Sequence, residues 1–504
     1  MTNAGMSSPR VVVRHYCQGI GDCHLLRFPK DDGSSFWMLI DCGIHSSVTG
    51  GKQMMSRVVE DIAKQTSRLD VVVATHEHVD HLSGFFSEVE RFKSISVGEV
   101  WLGWTENPAD PQAQALDKFK GAALDALQGA GDRLSRAAGL DANLTAVKEG
   151  IEAVMGFSIG IKGERVRAQR DAVVAMAPRH VRYLEPSNDP LATPGVPGLR
   201  VYVLGPPRDA RLLGITNRSD ELYSLAPGFS APMAKALAGA FAYGDPQGDG
   251  SRDDAAPFDA NVGTDFGQLA ACEGLNPPTC IDRDIAAFAR AHYFGPAVLP
   301  GRKIRSRAPK SGHTPQELDQ SWRRIDHDWL AGGAELAMQL DSRTNNTSLA
   351  LAFEFTDTGR VLLFAADAQV GSWLSWQDLS WQVGDKTVTG PDLLARTVYY
   401  KVGHHGSENA TLKAKGLERM MNPDLASFIP VNEADAKKFG WVRMPLPSLV
   451  DTLGSRCKRR TIRADDPWLA EPDKTPPFDA PSGSIKSISR DSRNPALWVE
   501  LGLE

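Results

Sequence analysis

An α/β fold is predicted by three observations on the amino-acid sequence alone. Short β-branched or aliphatic runs recur at 11–16, 36–41, 69–74, 349–355, 361–367 and 398–402, each too short for a helix. Alanine-rich stretches of helical character separate an early group of these runs from a late one. Three of the runs end in residues of metal-ligand type: 69–74 runs into Thr75-His76-Glu77-His78-Val79-Asp80-His81, 361–367 closes on Asp367, and 398–402 runs into Gly403-His404-His405-Gly406-Ser407. Open α/β sheets place their chemistry on loops leaving strand C-terminal ends, and this recurrence is harder to obtain by chance than any one motif.

The elements follow in order. Residues 11–16 form a first strand, and Cys17-Gln18-Gly19-Ile20-Gly21-Asp22-Cys23 is a glycine-punctuated turn. It lacks the Walker lysine and the third Rossmann glycine, which argues against a phosphate cradle. Strands at 24–28 and 36–41 are joined by an Asp-Asp-Gly hairpin turn, and the second ends in Leu39-Ile40-Asp41-Cys42-Gly43. A helix at 51–66, the valine strand, a helix at 82–92 and a strand at 97–102 come next. From 107 to about 156 the pattern is alanine-rich helix, expected to break at Gly129-Ala130-Gly131 and at Gly139, with a further helix over 163–178. A linker at 194–198 leads to a strand at 199–204. Helices are expected near 231–243, 281–293 and 316–340, joined by a Gly/Asp/Pro-rich loop at 244–260 that is expected to be mobile. The domain reading is therefore an N-terminal half-core (1–106), a helical insertion (107–197), a core strand (198–207), a second mostly helical insertion (208–340), a C-terminal half-core (341–470) and an extension (471–504).

With 504 residues and a net charge of −6, the chain is not a uniformly basic nucleic-acid coat, although a local basic groove is compatible with that balance. The first ten residues lack the apolar core of a signal peptide, and no stretch has the length of a membrane span. Six scattered cysteines (Cys17, Cys23, Cys42, Cys272, Cys280, Cys457) form no CxxC pair, as expected of free thiols in a reducing cytoplasm.

The imidazoles of His76, His78 and His81, with the hard oxygen of Asp80, suit a borderline metal such as zinc better than they suit a solvated loop. Gln18-Gly19-Ile20-Gly21-Asp22, Leu39-Ile40-Asp41-Cys42-Gly43, the His76-to-His81 packet, Asn345-Asn346-Thr347-Ser348-Leu349, Ala366-Asp367 and His404-His405-Gly406-Ser407 together resemble the metallo-β-lactamase superfamily. The resemblance is to the hydrolase domain of ComEC-type DNA-uptake proteins and their free-standing relatives, through the motifs GQGD, LIDxG, HxHxDH, Asn-x-x-Ser-Leu, GD and HHGS. It covers about half the chain, with a fainter echo at 423–427 and 444–453. It implies an αββα sandwich, into which the two largely helical insertions outside the resemblance would be set, and a dinuclear site of two divalent ions, zinc first, manganese or magnesium otherwise. His76 and His78 would hold the first ion, Asp80 and His81 the second, and Asp367 would bridge them. His405, directly before the glycine, would be the last ligand. His404 would then face the substrate as a proton donor or anion contact, or else pack behind the ligands. The reaction implied is metal-dependent hydrolysis, in which Asp80 and Asp367 orient an activated bridging water and His404 protonates the leaving group.

The sequence departs from that family in its first site, where a third histidine has no clear candidate. Asn345, Asn346 and Ser407 are the candidates for an extra ligand or substrate contact, and His292 and His313 read as surface or packing residues. Ala366 stands in place of the usual glycine, read as a packing change, and Met444 stands where relatives often carry histidine. The first functional expectation is a phosphodiesterase or nuclease, its phosphoester substrate, nucleic acid included, guided by the basic clusters Arg302-Lys303-Ile304-Arg305-Ser306-Arg307 and Arg456-Cys457-Lys458-Arg459-Arg460, each of which also reads as a solvated loop. The alternative is a small-molecule hydrolase for a lactone, thioester, β-lactam or phosphorylated metabolite. Its insertions would be lids, with Trp322 and Trp329 lining the pocket or forming a core stripe. A non-catalytic scaffold or effector, binding a protein partner through the insertions, is a third reading that the intact ligand set disfavours. No membrane partner is expected.

Overall fold

In the computed structural model the valine run is a strand, Arg68–Val73, buried on both faces: Val71 and Val73 face a second sheet, while Leu69 and Val72 lie under helices. The structure describes residues 8–136, 142–158, 166–186, 189–214, 331–471, 473–493 and 495–504. The strands are β1 (Val11–Tyr16), β2 (Cys23–Pro29), β3 (Ser35–Cys42), β4 (Arg68–Val73), β5 (Ser96–Gly103), β6 (Val181–Leu184), β7 (Leu191–Ala192) and β8 (Leu199–Val203). There follow β9 (Leu351–Phe355), β10 (Arg360–Phe364), β11 (Ser380–Val383), β12 (Lys386–Thr389), β13 (Thr397–Lys401), β14 (Ala426–Ile429), β15 (Thr461–Arg463), β16 (Ile485–Arg490) and β17 (Trp498–Leu503). The helices used below are α1 (Gly51–Gln65), α2 (Val79–Ser87), α3 (Pro111–Arg136), α4 (Ala142–Ser158), α5 (Val166–Met176), α6 (Ala331–Asn345), α7 (Val370–Ser375) and α8 (Pro447–Arg456).

The chain divides into two compact units, 1–124 with 152–230 and 337–504, and 125–151 with 231–336. In the first, one sheet runs β16-β17-β1-β2-β3-β4-β5-β6 and the other β15-β14-β13-β10-β9-β8-β7. Period-2 alternation sorts their side chains. Val13, Leu26, Met38, Val71, Val203, Phe353, Phe364 and Phe428 fill the space between the sheets. Leu25, Leu39 and Val100 turn outward onto α1, α2 and α5, and Tyr202, Ala352, Leu363 and Tyr400 onto α7 and α8. The result is a mixed α/β sandwich with the layers helix, sheet, sheet, helix. In the second unit, the described residues are helical and bury Ala126, Leu127, Ala130, Leu134 and Ile151.

Three expectations are corrected. Helix α3 runs unbroken through Gly129-Ala130-Gly131; glycine costs a helix about 1 kcal/mol per residue, and burial of Ala126, Leu127, Ala130 and Leu134 on one face offsets it. The expected break at Gly139 lies outside the described residues, as do the helices near 231–243 and 281–293, most of that at 316–340, and the loop 244–260. The stretch 107–197 is not helical throughout, because Val181–Leu184 pairs in parallel with β5. The C-terminal extension is structural: β17 pairs antiparallel with β1 and β16 with β17. Ile485–Arg490 has only two apolar residues, Ile485 and Ile488, three apart, so no strand period stands out before a partner strand is known.

A lysine–carboxylate pair joins the sheets internally. Lys401 at the end of β13 is 1% exposed, and its ammonium contacts the Asp22 carboxylate at the start of β2. Burial pushes the Asp22 carboxyl up, but Lys401, His81 and His24 outweigh it and hold the group well below the usual carboxylate range. Breaking a buried pair by removing one partner leaves a stranded charge and costs about 3–5 kcal/mol. Lys401→Met should lose that much stability in urea denaturation, and adding Asp22→Asn to the same chain should recover most of it. A K401M protein as stable as wild type would contradict this account.

Candidate metal centre

The site is built where β3, β4, β10 and β13 all end. After β4, the Thr75 backbone N–H donates to Asp41 Oδ1 (2.8 Å) and its hydroxyl to Asp41 Oδ2 (2.7 Å), so the end of β3 pins the start of the histidine loop. Gly43 makes that approach possible: a Cβ there would lie 2.2 Å from the Asp80 carbonyl carbon. His78 is the N-cap of α2, and Asp80 sits in the first turn, where the helix dipole favours an anion. On the opposite sheet, β10 leads to Asp367 and β13 to His404 and His405. Ala366 (φ 49°), His404 (φ 42°) and His405 (φ 53°) all adopt the left-handed conformation. Alanine in the place of glycine at 366 is therefore a matter of backbone conformation, not only of packing.

Two donor sets share one carboxylate. His76, His78 and Asp367 place ligand atoms within 4.8 Å of one another, and so do Asp80, His81, Asp367 and His405. Asp22, Asp41 and His81 form a third such group behind them. In the first set, His76 Nε2 and His78 Nδ1 are 3.2 Å apart. In the second, His81 Nε2 is 3.1 Å from Asp367 Oδ2, and His405 Nε2 is 2.9 Å from Asp80 Oδ2. The far side of each ring is anchored: His81 Nδ1 lies 2.7 Å from Asp41 Oδ2, and His405 Nδ1 donates to the Pro430 carbonyl (2.7 Å). Anchors of this type fix the tautomer, leaving Nε2 free to face a metal. The donors are imidazoles and carboxylates, and Asp80 Oδ1 is buried with no hydrogen-bond partner. Such a set fits two divalent cations.

Electrostatics point the same way. Burial lowers His76, and His81 and His78 lower it further; burial likewise depresses His404 and takes His78 down to about 3. Burial also opposes charge on His81, but Asp367, Asp80 and Asp41 outweigh it and raise that ring well above the usual value. Burial raises Asp80 and Asp367, and the neighbouring His81 and His405 more than reverse this in both. Asp341 goes the other way: burial, then the negative charges of Asp367 and Asp80, push it up to about 7. The centre is a negative field that a cation would relieve.

The structure thus brings together His76, His78, Asp80, His81, Asp367 and His405. His404 stands beside them: its backbone N–H donates to Asp367 Oδ1 (3.0 Å), and its Nδ1 lies 2.7 Å from Ser407 Oγ and 3.4 Å from Gln369 Nε2. Both asparagines are hydrogen-bonded beside these sets of histidines and carboxylates, and Asn345 Oδ1 is buried with no hydrogen-bond partner. The Asn346 amide donates to the Leu213 carbonyl (3.3 Å) and its oxygen accepts from the Ser372 backbone (3.4 Å), bracing α7, while Asn345 Nδ2 donates to Asp341 Oδ2 (3.1 Å). Of the basic cluster at 456–460, Arg460 is buried and donates to the Leu425 carbonyl (3.1 Å). The cluster precedes β15, parallel to β14 and β13, so it lies at the strand ends opposite the histidines. The 302–307 cluster, His292, His313, Trp322 and Trp329 lie outside the described residues.

Sequence reading missed the roles of Asp22, Asp41, Lys401, Asp341 and Glu77. The first two sit in quoted motifs and offered a signal; Asp341 offered none. Glu77, between the two first-set histidines, is buried with Lys120 of α3 at 3.1 Å and Arg170 of α5 at 2.9 Å, so it ties the loop to the insertion helices.

A family model described as the metallo-beta-lactamase superfamily matches residues 18–130. No curated protein and no solved structure matches the chain.

The histidines dictate a pH dependence. His15, His24, His45, His76, His78 and His404 are all depressed, chiefly by burial, with His45 at about 4 and His78 at about 3. The unfolded chain then binds more protons than the folded one below pH about 6.5. Stability is present above that pH and lost as pH falls towards 4; His81, His405 and Asp341, raised in the folded state, oppose the trend but are outnumbered. With chelator present, urea midpoints should fall steadily from pH 7 to 5. A flat or rising midpoint would refute the account.

Proposed function

We propose that this protein is a metal-dependent hydrolase with a dinuclear centre, acting first on phosphodiesters. The single observation that carries the hydrolase reading is Asp367, one buried carboxylate common to both donor sets. Two divalent ions held there would supply Lewis acidity, for activating a water and for polarising the substrate's oxygens. The chain's own residues do the rest. His76 and His78 would hold one ion and Asp80, His81 and His405 the other, with Asp367 common to both sets. His404 would serve as a hydrogen-bond donor to the leaving oxygen: burial favours its neutral ring, Nδ1 is engaged by Ser407 Oγ and Gln369 Nε2, and Nε2 is left to steady the developing negative charge. Its backbone N–H, held by Asp367, keeps that ring in register with the shared carboxylate.

Support for a phosphodiester comes from the HHGS-type sequence and from a site that can clamp both attacking and leaving oxygens of an in-line displacement. Fold alone does not choose the substrate. The buried donor set serves a lactone, thioester, β-lactam or phosphorylated metabolite equally well, and the basic cluster at 456–460 lies at the wrong end of its strands to guide a nucleic acid to it.

Purified protein reconstituted with zinc or manganese should hydrolyse bis-p-nitrophenyl phosphate and lose that activity on chelation. Asp80→Ala, Asp367→Ala and His405→Ala should abolish turnover. His404→Gln should lower kcat by about 10²–10³-fold, the usual worth of one hydrogen-bond donor to a developing negative charge, while leaving bound metal unchanged. Single- and double-stranded DNA, RNA, nitrocefin, lactones and thioesters assayed in parallel separate the classes. Activity confined to a carbon ester or lactam would replace the phosphodiester reading, and full activity in D80A and H405A would overturn the site.

A further inference from the structure

Building on the metal-centre reading, we infer that Asp341 and Asn345 of α6 form a relay that orients His78 for the first metal ion, taking up the proton-bearing side of its ring. Two of the three remaining histidine ligands have such an anchor in plain view: the Asp41 carboxylate for His81 and the Pro430 carbonyl for His405. His78 turns Nδ1 towards His76 Nε2 at 3.2 Å, so Nδ1 is its metal-facing atom and Nε2 points away. The carboxylate facing Nε2 is Asp341, with Oδ1 at 3.9 Å. Oδ1 is buried with no hydrogen-bond partner, whereas Oδ2 accepts from Asn345 Nδ2 at 3.1 Å, one helical turn further along α6. One oxygen is thus tethered and the other is left for the ring. Closing the gap from 3.9 Å to hydrogen-bond distance requires only a small side-chain rotation as His78 settles onto an ion.

The end of α6 is well placed to hold this relay still. Just past it, Ser348 Oγ accepts from the Asp367 backbone N–H (3.2 Å), and the Leu349 N–H donates to the Thr75 carbonyl (2.8 Å). The segment after α6 therefore touches both the bridging carboxylate and the histidine loop. Carboxylate–histidine–metal chains fix the ring tautomer and raise ligand basicity, and losing the outer partner costs about 10- to 100-fold in metal affinity. This gives Asn345 a role different from the ligand role expected of it: it positions the residue that positions the ligand.

The test is metal binding by the whole protein, read without turnover. Wild type, Asp341→Asn, Asp341→Glu, Asn345→Ala and a His78→Ala control would be titrated with zinc against a chromophoric chelator, with bound metal counted by elemental analysis and apo-protein folding checked by circular dichroism. The expected result is two ions in wild type. D341N should keep the second ion at wild-type affinity and bind the first about 10- to 100-fold more weakly, with D341E recovering part of the loss and N345A falling in between. In the cobalt-substituted protein, the hyperfine-shifted ring N–H signal of His78 should move in D341N. Two ions at wild-type affinity with an unmoved signal in D341N would overturn the inference. So would complete loss of the first ion, which would make Asp341 a ligand itself. Should D341N fail to fold, N345A decides, and wild-type affinity there overturns the relay. If wild type binds no metal, or H78A retains both ions unchanged, the metal-centre reading itself fails, an outcome distinct from failure of the relay alone.

Discussion

Asp22, Asp41, Asp80 and Asp367 converge where the strands of both sheets end, each no more than 1% exposed, and among the described residues Lys401 is the ammonium that ion-pairs there. Burying a carboxylate without a partner costs several kcal/mol, and no fold collects four of them by accident. Lys401 answers Asp22, and His81 and His405 answer Asp41 and Asp80. The remaining negative charge is what a pair of divalent cations would neutralise. The same demand explains why the histidines differ: His81 and His405, held against carboxylates, are raised, while His76 and His78, facing one another, are depressed. Rings that must lose a proton to take a metal, and carboxylates that need one absent, make folding, pH and metal binding parts of one equilibrium.

That convergence depends on backbone that few residues tolerate. Gly43 lets the turn after β3 touch the histidine loop, and three left-handed residues on the other sheet, Ala366, His404 and His405, turn Asp367 and His405 back over it. Strain of this kind persists only where surrounding structure over-determines it. The supports are visible: the Leu349 N–H on the Thr75 carbonyl, the Pro430 carbonyl on His405, and the Lys401 ammonium on the Ala366 carbonyl (3.4 Å). The insertion is not a bystander, since Lys120 and Arg170 grip Glu77 between the two first-set histidines. Motion of α3 or α5 would be felt directly by that loop, which is how a lid element can be coupled to a ligand set.

The first donor set differs in kind from the second. Asp80, His81, Asp367 and His405 form a set of four, two of its rings locked from behind by full-strength hydrogen bonds. His76, His78 and Asp367 make three, with His76 Nδ1 at 3.1 Å from the Thr75 hydroxyl. Two imidazoles and one carboxylate contain less nitrogen than a three-histidine set, and oxygen-rich coordination in general suits harder ions.

The cluster of candidate metal ligands was largely legible in the sequence, because ligand chemistry is written in residue types and the strand ends are written in β-branched runs. His76, His78, Asp80 and His81 stand within eight residues of the last valine of a strand, and the HHGS and Ala-Asp packets end runs of the same kind. The αββα layering was legible for the same reason, as period-2 burial needs no partner to be seen. What only the tertiary structure decided is everything set by proximity between distant segments. The pairing of Lys401 with Asp22, the lock of Asp41 on His81 and the approach of Asp341 to His78 join residues 379, 40 and 263 positions apart. Neither β6 nor the β16–β17 pair could be read without the strands they complete. A side chain's type is a local fact; its partner is a fact about the fold, and the first site's supporting shell consists of partners.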